Sequence, residues 1–83
     1  MDIRTLAKQA RLKRNCLLDA AVGVLNRHRN QVDFGVIPSL GPDEVIEVAQ
    51  FAQSLRDVPQ QMDFPSLIIW PNVPRCLQKQ IVA

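Results

Sequence analysis

The stretch LGPDEVIEVAQFAQSLRDVP, residues 40–59, decides the fold. Pro42 suits the first position of a helix, because the N–H that proline lacks would have no partner there. Asp43 and Glu44 favour the positive end of the helix dipole. The stretch therefore predicts a helix over residues 42–57, ended by the proline that follows. Apolar side chains recur along it every three or four residues, as on a buried helix face: Val45, Val48, Ala49, Phe51, Ala52 and Leu55.

A longer helix is predicted upstream, over residues 2–27, because no proline precedes Pro38 and apolar residues recur at helical spacing. Around Arg14 the apolar stripe narrows, so the first half of this helix is expected to project as a basic, mobile arm. Residues 28–41 are rich in polar and chain-breaking residues and predict a loop. Two antiparallel helices joined by one loop form a helical hairpin.

Prolines dominate the chain after the second helix, and each pushes the residue before it toward extended backbone. We therefore predict an extended, Pro-rich flap over residues 58–75, followed by a tail over 76–83. Residues 66–70 have strong β character. Since a lone strand lacks a partner, this segment either lies over the hairpin or pairs with the edge of a partner's sheet. The predicted fold class of residues 1–83 is one small all-α domain, a helical hairpin with this flap.

Length and composition limit the classes of function. The chain has 83 residues, of which 47% are apolar and 22% are charged, as in globular proteins. A chain this short buries only about 60% of the surface that its unfolded form exposes, so a deep enzymatic pocket is not expected. Residues 1–29 carry seven Lys/Arg against two Asp, a net charge of +5. The remaining residues carry three Lys/Arg against six acids, a net charge of −3.

The sequence contains no pattern typical of catalysis, of cofactor binding or of a metal site. His28 is the one histidine, and between two arginines it is expected to be a solvated loop residue. Cys16 and Cys76 lie far apart and form no CxxC motif. We expect both to be buried or unreactive thiols in a reducing cytosol. The protein is therefore predicted not to be an enzyme, and to use no cofactor.

No membrane partner is predicted either. The start of the chain lacks the apolar run of a signal peptide, and no apolar stretch approaches the ~20 residues of a membrane span. These features predict a soluble, intracellular protein.

Two sets of residues in the second half of the chain have alternative interpretations. Arg56 and Asp57 either fix the corner between the second helix and the flap or contact a partner. Trp70 either pins the flap to the hairpin or is an exposed anchor for a partner, and Phe64 before Pro65 has the same two interpretations. In an extended chain the two rings would lie roughly 20 Å apart on one side.

The basic first helix also allows more than one interpretation. Arg4, Lys8 and Arg11 share a helix face. This face is interpreted in one of three ways: it is solvated, it binds an acidic patch on a protein partner, or it binds the phosphates of a nucleic acid. No aromatic residue for base stacking lies among them, so nucleic acid is not the expected partner.

Two overlapping stretches, RNCLLDAAVGVLNRHRNQVDFGVIPSLGPDEVIEVAQFAQSLRD and SLRDVPQQMDFPSLIIWPNVP, resemble the bacteriophage tail fibre assembly chaperones. In that family a phrase of the form ALRDVPQQ…FP…I.WP..P follows an amphipathic helix. The resemblance covers roughly residues 10–74. Phe51 stands where many members have Tyr or Trp. The following residues stand on the signature positions: Arg56, Asp57, Pro59, Phe64, Pro65, Trp70 and Pro71.

The resemblance implies a phage or prophage protein that binds the distal part of a tail fibre protein and assists its folding, trimerisation or solubility. It implies action in the host bacterial cytoplasm, with retention on the virion as a structural part as a further alternative. The competing hypothesis is a small basic nucleic-acid-binding or regulatory module that acts through the first helix. The resemblance implies these partner-binding residues: Phe51, Arg56, Asp57, Phe64, Pro65, Trp70 and Pro71.

Overall fold

The computed structural model describes residues 2–81, and side chains up to residue 78; Met1 and residues 82–83 of the predicted tail lie outside them. Within that part the chain is helical and has no β-strand. The elements in chain order are α1 (Ile3–Asp33), α2 (Pro42–Arg56), a 3-10 helix (Val58–Gln60) and α3 (Arg75–Ile81). The antiparallel helices α1 and α2 pack on each other, and α3 packs on α1. The predicted all-α helical hairpin is confirmed.

The second helix, α2, begins where its start signals predict and ends one residue earlier than expected. Pro42 occupies the first turn. The N–H of Gly41 donates to Oε1 of Glu44 at 3.0 Å, which is one half of a capping box. At the other end the N–H of Asp57 donates to the carbonyl of Gln53 at 3.1 Å and closes the last turn.

The prediction that the first helix ends at residue 27 is wrong, because α1 continues to Asp33. The predicted loop over 28–41 therefore shrinks to residues 34–41. Polar residues do not by themselves end a helix, since they can occupy its solvent-facing side. Most residues of this added turn and a half are exposed.

Gly35 supplies the stop signal for α1. Its φ of 69° lies in the left-handed region that glycine adopts without steric cost. The N–H of Gly35 donates to the carbonyl of Val32 at 3.2 Å, and that of Val36 donates to the carbonyl of Gln31 at 2.8 Å. These two bonds are the Schellman motif, which satisfies carbonyls left open at a helix end.

The core is aliphatic apart from one phenylalanine. Its buried members come from all three helices: Ala21, Val24, Val48, Phe51, Ala52, Leu55 and Leu77. Leu77 of α3 has no exposed surface, although it lies in the segment predicted to be a tail. Trp70 and Val73, which precede α3, pack against the same core while remaining half-buried. The C-terminal segment thus completes a core that the hairpin alone would leave open.

Only part of the segment predicted to be extended is extended. The 3-10 helix and turns over residues 62–66 occupy its first half. The N–H of Phe64 donates to the carbonyl of Gln61 at 3.1 Å, and the N–H of Leu67 donates to the carbonyl of Asp63 at 3.0 Å. These bonds fold the chain back between Phe64 and Leu67. The expectation that the rings of Phe64 and Trp70 are separated by a fully extended chain is therefore wrong.

The helix α3 replaces most of the predicted tail over 76–83. Pro74 starts it, because its carbonyl accepts the N–H of Leu77 at 2.9 Å and that of Gln78 at 3.1 Å. The side-chain amide of Gln78 also donates to the carbonyl of Val73 at 3.1 Å. A helix of seven residues is too short to be stable alone, so its packing on the hairpin sustains it.

We predict that Leu77→Ala lowers the free energy of unfolding by about 2–5 kcal/mol, the usual cost of removing a fully buried leucine side chain. Urea unfolding followed by circular dichroism measures the change. The matched control is Leu12→Ala, since Leu12 is 60% exposed. Equal stability of the two variants would contradict a structural role for α3.

Candidate partner-binding site

Because α3 begins at Arg75, the flap as observed is residues 58–74. Both of its aromatic residues lie against the first half of α1. Nζ of Lys13 is 4.4 Å from the centroid of the Trp70 ring. The guanidinium carbon of Arg11 is 5.4 Å from the centroid of the Phe64 ring. A cation over an aromatic face is attracted to it by about 0.5–1 kcal/mol at exposed sites. Two residues of the basic segment thus help to position the flap.

The expectation that the first half of α1 is a free, projecting arm is therefore wrong from about Ala10 onward. Ala10 is buried and Arg14 is half-buried. The guanidinium of Arg14 also donates to Oδ1 of Asn15 at 2.9 Å. Arg11 and Lys13, which lie beside the predicted narrow part of the apolar stripe, contact aromatic rings from a distant part of the chain.

The side-chain amide of Gln61 fixes the outer part of the flap. Its Oε1 accepts the N–H of Ile69 at 2.9 Å, and its Nε2 donates to the carbonyl of the same residue at 2.8 Å. These bonds join the turn at the start of the flap to its extended end. The two parts of the flap are thereby held side by side.

Three large apolar side chains of the flap face solvent, and we call them the flap patch: Met62, Leu67 and Ile69. Met62 is 97% exposed. Together with Gln61 and Asp63 the patch lines a shallow cleft of about 250 Å³. Apolar side chains gathered in this way on a short segment are typical of a surface that binds another protein.

A second groove, of about 360 Å³, lies between α2 and the end of the flap. Phe51 and Ser54 of α2 line one side of it, and Pro71 and Val73 line the other. Phe51 is only 4% exposed, so its ring belongs to the core and also forms part of the groove wall. Pro71 borders the groove directly.

Arg56 and Asp57 are exposed at the corner where α2 meets the flap. The carboxylate of Asp57 accepts from Nε2 of Gln53 at 3.2 Å. The main-chain carbonyl of Asp57 accepts the N–H of Gln60 at 2.8 Å and so forms the turn that follows the helix. The two charged side chains are accessible to a partner.

The flap aromatics and the prolines after them are half-buried, so most of their surface serves the packing of the flap. For Trp70 the structure favours the interpretation as a pin, since this residue packs on the core. A direct contact of these side chains with a partner stays a prediction, as it does for the rest of the sequence-predicted set. The half-buried members are Phe64, Pro65, Trp70 and Pro71.

Sequence analysis missed a surface at the tip of the hairpin. Phe34 is 81% exposed and Ile37 is 89% exposed, and Val32 and Val36 beside them are exposed too. The amide of Gln31 holds this loop, because it accepts from the N–H of Ser39 and donates to its Oγ, both at 3.1 Å. The signal in the sequence was four apolar residues within six positions, in a segment interpreted as polar. We call these four residues the hairpin tip.

His28 was expected in a solvated loop, and this is wrong because α1 continues past it. The ring is half-buried and lines a groove of about 450 Å³ with Leu25, Val45 and Ala49. Its Nδ1 is buried and has no hydrogen-bond partner among the described residues.

The two cysteines differ in environment. Cys16 is exposed and Cys76 is half-buried against the core, so of the two expected alternatives, a buried or an unreactive thiol, burial applies to Cys76 alone. Burial raises the pKa of the Cys76 thiol, and the carboxylates of Glu44 and Glu47 raise the pKa further.

Within residues 2–81 no three His, Cys, Asp or Glu side chains come together in a way that would hold a metal ion. In the same part of the chain, no helix is both long and apolar enough to cross a bilayer.

Comparison with known proteins gives one match. The model of the family described as "Phage tail assembly chaperone protein" matches residues 7–75. The match includes most of α1, all of α2 and the flap with both of its aromatic residues. No curated protein and no solved structure shows significant similarity to the chain.

We predict that Lys13→Met lowers the free energy of unfolding by about 0.5–1 kcal/mol, because it removes the cation over the Trp70 ring and keeps an apolar stem of similar length. Trp70 is the one tryptophan, so its fluorescence during urea unfolding measures the change. The matched control is Lys8→Met, at an exposed position of the same helix. Equal effects of the two substitutions would contradict the contact.

We predict that iodoacetamide alkylates Cys16 well before Cys76 at pH 8. The thiolate is the reactive form, and a raised pKa lowers its population at a given pH. The reaction at Cys76 should accelerate as the pH rises toward its raised pKa. Mass spectrometry of the wild-type chain and of Cys16→Ser measures both rates. Faster reaction at Cys76 would contradict the described environment.

Proposed function

Because the chain belongs to the phage tail assembly chaperone family, we propose that it binds the distal part of a phage tail fibre protein and assists its folding and trimerisation. The family match over residues 7–75 is the observation that carries this proposal. We propose that the protein works in the cytoplasm of the host bacterium, for a phage or a prophage, and that it acts by binding and not by catalysis.

The physical task proposed for the chain is to shield apolar surface. Before a fibre trimerises, its protomers expose apolar side chains and unpaired strand edges, and such surfaces aggregate. The flap patch and the hairpin tip offer apolar side chains of their own to cover them. A hydrophobic contact of this kind requires only complementary apolar area, so it suits a client that is not yet folded.

Most of the sequence-predicted residues have one of two roles in this proposal. Phe64 and Trp70 position the flap through their contacts with α1, and so present the flap patch. The exposed pair Arg56 and Asp57, and Pro71 at the groove beside Phe51, are proposed to contact the client directly.

The competing hypothesis, a nucleic-acid-binding module on α1, has less support. Arg11 lies over the ring of Phe64 and Lys13 lies over that of Trp70, so two cations of the basic segment already have partners within the chain. A phosphate track would have to compete with these contacts. A further alternative is that the protein stays on the virion as a structural part. Mass spectrometry of purified particles distinguishes this alternative from release, because only a retained protein is found in them.

We predict that co-expression with the tail fibre protein of the same phage keeps the fibre soluble and allows the two proteins to be purified together. The double variant Leu67→Ser/Ile69→Ser should weaken the complex about 30-fold or more, as expected when apolar anchors of an interface are lost. Leu12→Ser is the matched control, since it removes an exposed leucine outside the flap patch. The measurements are the amount of co-purified fibre and the fraction of fibre in the soluble lysate.

Trp70→Ala should also abolish co-purification, and circular dichroism melts then identify the reason. An unfolded variant indicates that Trp70 acts by holding the structure together, and a folded variant that fails to bind indicates that it contacts the fibre. Normal solubilisation of the fibre by a folded Trp70→Ala protein would contradict both roles. Failure of the wild-type chain to bind or solubilise any fibre protein of its phage would contradict the proposed function.

A further inference from the structure

We propose that the flap binds an extended segment of its client by main-chain pairing, through the N–H and C=O groups of Ile68 and Trp70. The inference rests on the proposed function, and it specifies the partner as a strand edge of the unassembled fibre protein.

The hydrogen bonds of Gln61 reveal the backbone conformation at Ile69. One planar side-chain amide binds both the N–H and the carbonyl of this residue, at 2.9 and 2.8 Å. It can do so only if both groups of Ile69 point in the same direction, as they do in a β-strand. The amide thus takes the place of one residue of a neighbouring antiparallel strand.

The opposite edge of this segment has no such partner. In a strand, the N–H and C=O groups of successive residues point alternately to the two edges. The groups of Ile68 and Trp70 therefore point away from Gln61. Among the described residues none forms a hydrogen bond with these four groups. A strand edge in this state is a ready template for another chain.

The side chains alternate in the same register. Ile68 and Trp70 are half-buried, with Trp70 on the core, whereas Leu67 and Ile69 are exposed. A strand that paired along the open edge would place its own side chains beside Leu67 and Ile69 as cross-strand neighbours. Main-chain pairing and the apolar contact with the flap patch would then form together.

The open main-chain groups of this edge determine which kind of partner segment can bind to it. A helix already uses its main-chain groups internally, so it cannot satisfy the open groups of Ile68 and Trp70. The turns of the flap end just before Ile68, and α3 begins at Arg75, so the extended edge is short. A short edge favours one bound strand over the stacking of many copies. An unassembled fibre protomer supplies such strands until trimerisation pairs them.

Amide hydrogen exchange, measured by NMR on the free chain and on its complex with the fibre protein, tests this inference. The amides of Ile68 and Trp70 should exchange freely in the free chain and at least about tenfold more slowly in the complex. The amides of Leu67 and Ile69, which are bonded within the chain, serve as internal controls and should change less.

A pair of variants tests the same point by affinity. Ile68→Pro removes an N–H from the open edge, and Ile68→Ala removes the side chain but keeps the N–H. We expect the proline variant, if its circular dichroism matches that of the wild type, to bind the fibre about tenfold more weakly than the alanine variant.

Each other outcome has a distinct meaning. A complex that forms with unchanged exchange at Ile68 and Trp70 overturns the main-chain pairing and leaves the proposed function intact. Protection in the free chain that disappears on dilution identifies a second copy as the occupant, which also overturns it. The absence of any complex with the fibre protein overturns the proposed function together with the inference.

Discussion

The packing of the C-terminal segment on the helical hairpin is the constraint on which the rest of the structure depends. Two helices with few aromatic residues form a narrow core, and Leu55 and Val48 on α2 are fully buried in one cluster with residues of α1 and α3. Leu77 of α3 belongs to this cluster, and Trp70 and Val73 pack around it. A chain of 83 residues has little apolar surface to spare, so each of these contacts is a large share of its stability.

The same packing determines which surfaces remain available to a partner. Once Trp70 and Phe64 lie against Lys13 and Arg11, the turns and the Gln61 amide hold the flap in one arrangement. Met62, Leu67 and Ile69 are then left facing solvent, as are the residues of the hairpin tip at the joint between α1 and α2. The proposed shielding of a client requires surfaces that are apolar, accessible and still ordered, and this arrangement provides them. Two basic residues of the first segment, Arg11 and Lys13, thus have a structural role, since they hold the flap on α1.

Sequence reasoning succeeded where the signals are local. The start of α2 is specified by Gly41, Pro42 and Glu44 within four residues, and its end by the approach of a proline. The end of α1 is also specified locally, by Gly35. The polar residues from 28 onward suggested an earlier end at residue 27, although none of them stops a helix as the glycine does. The two stretches that follow one another along the chain carry the resemblance, and the match over residues 7–75 confirms the phage tail assembly chaperone family.

The rest could not be predicted because it depends on contacts between distant parts of the chain. The rings of Phe64 and Trp70 meet cations more than fifty residues earlier, and no local pattern pairs them. The short helix α3 has weak signals of its own and is stabilised by the burial of Leu77. The hairpin tip was not predicted because its apolar residues lie among polar ones that suggested a solvated loop. Composition does not indicate which side chains of a loop are exposed.

NMR contacts between the side chain of Lys13 and the ring of Trp70 test the central claim most directly, because they report whether the flap is docked on α1 in solution. Nζ of Lys13 lies 4.4 Å from the ring centroid, so we predict nuclear Overhauser effects between the two side chains. The ring current should also shift the Lys13 methylene protons upfield. Lys13 resonances at random-coil positions, without contacts to the ring in a chain whose helices are formed, would contradict the account.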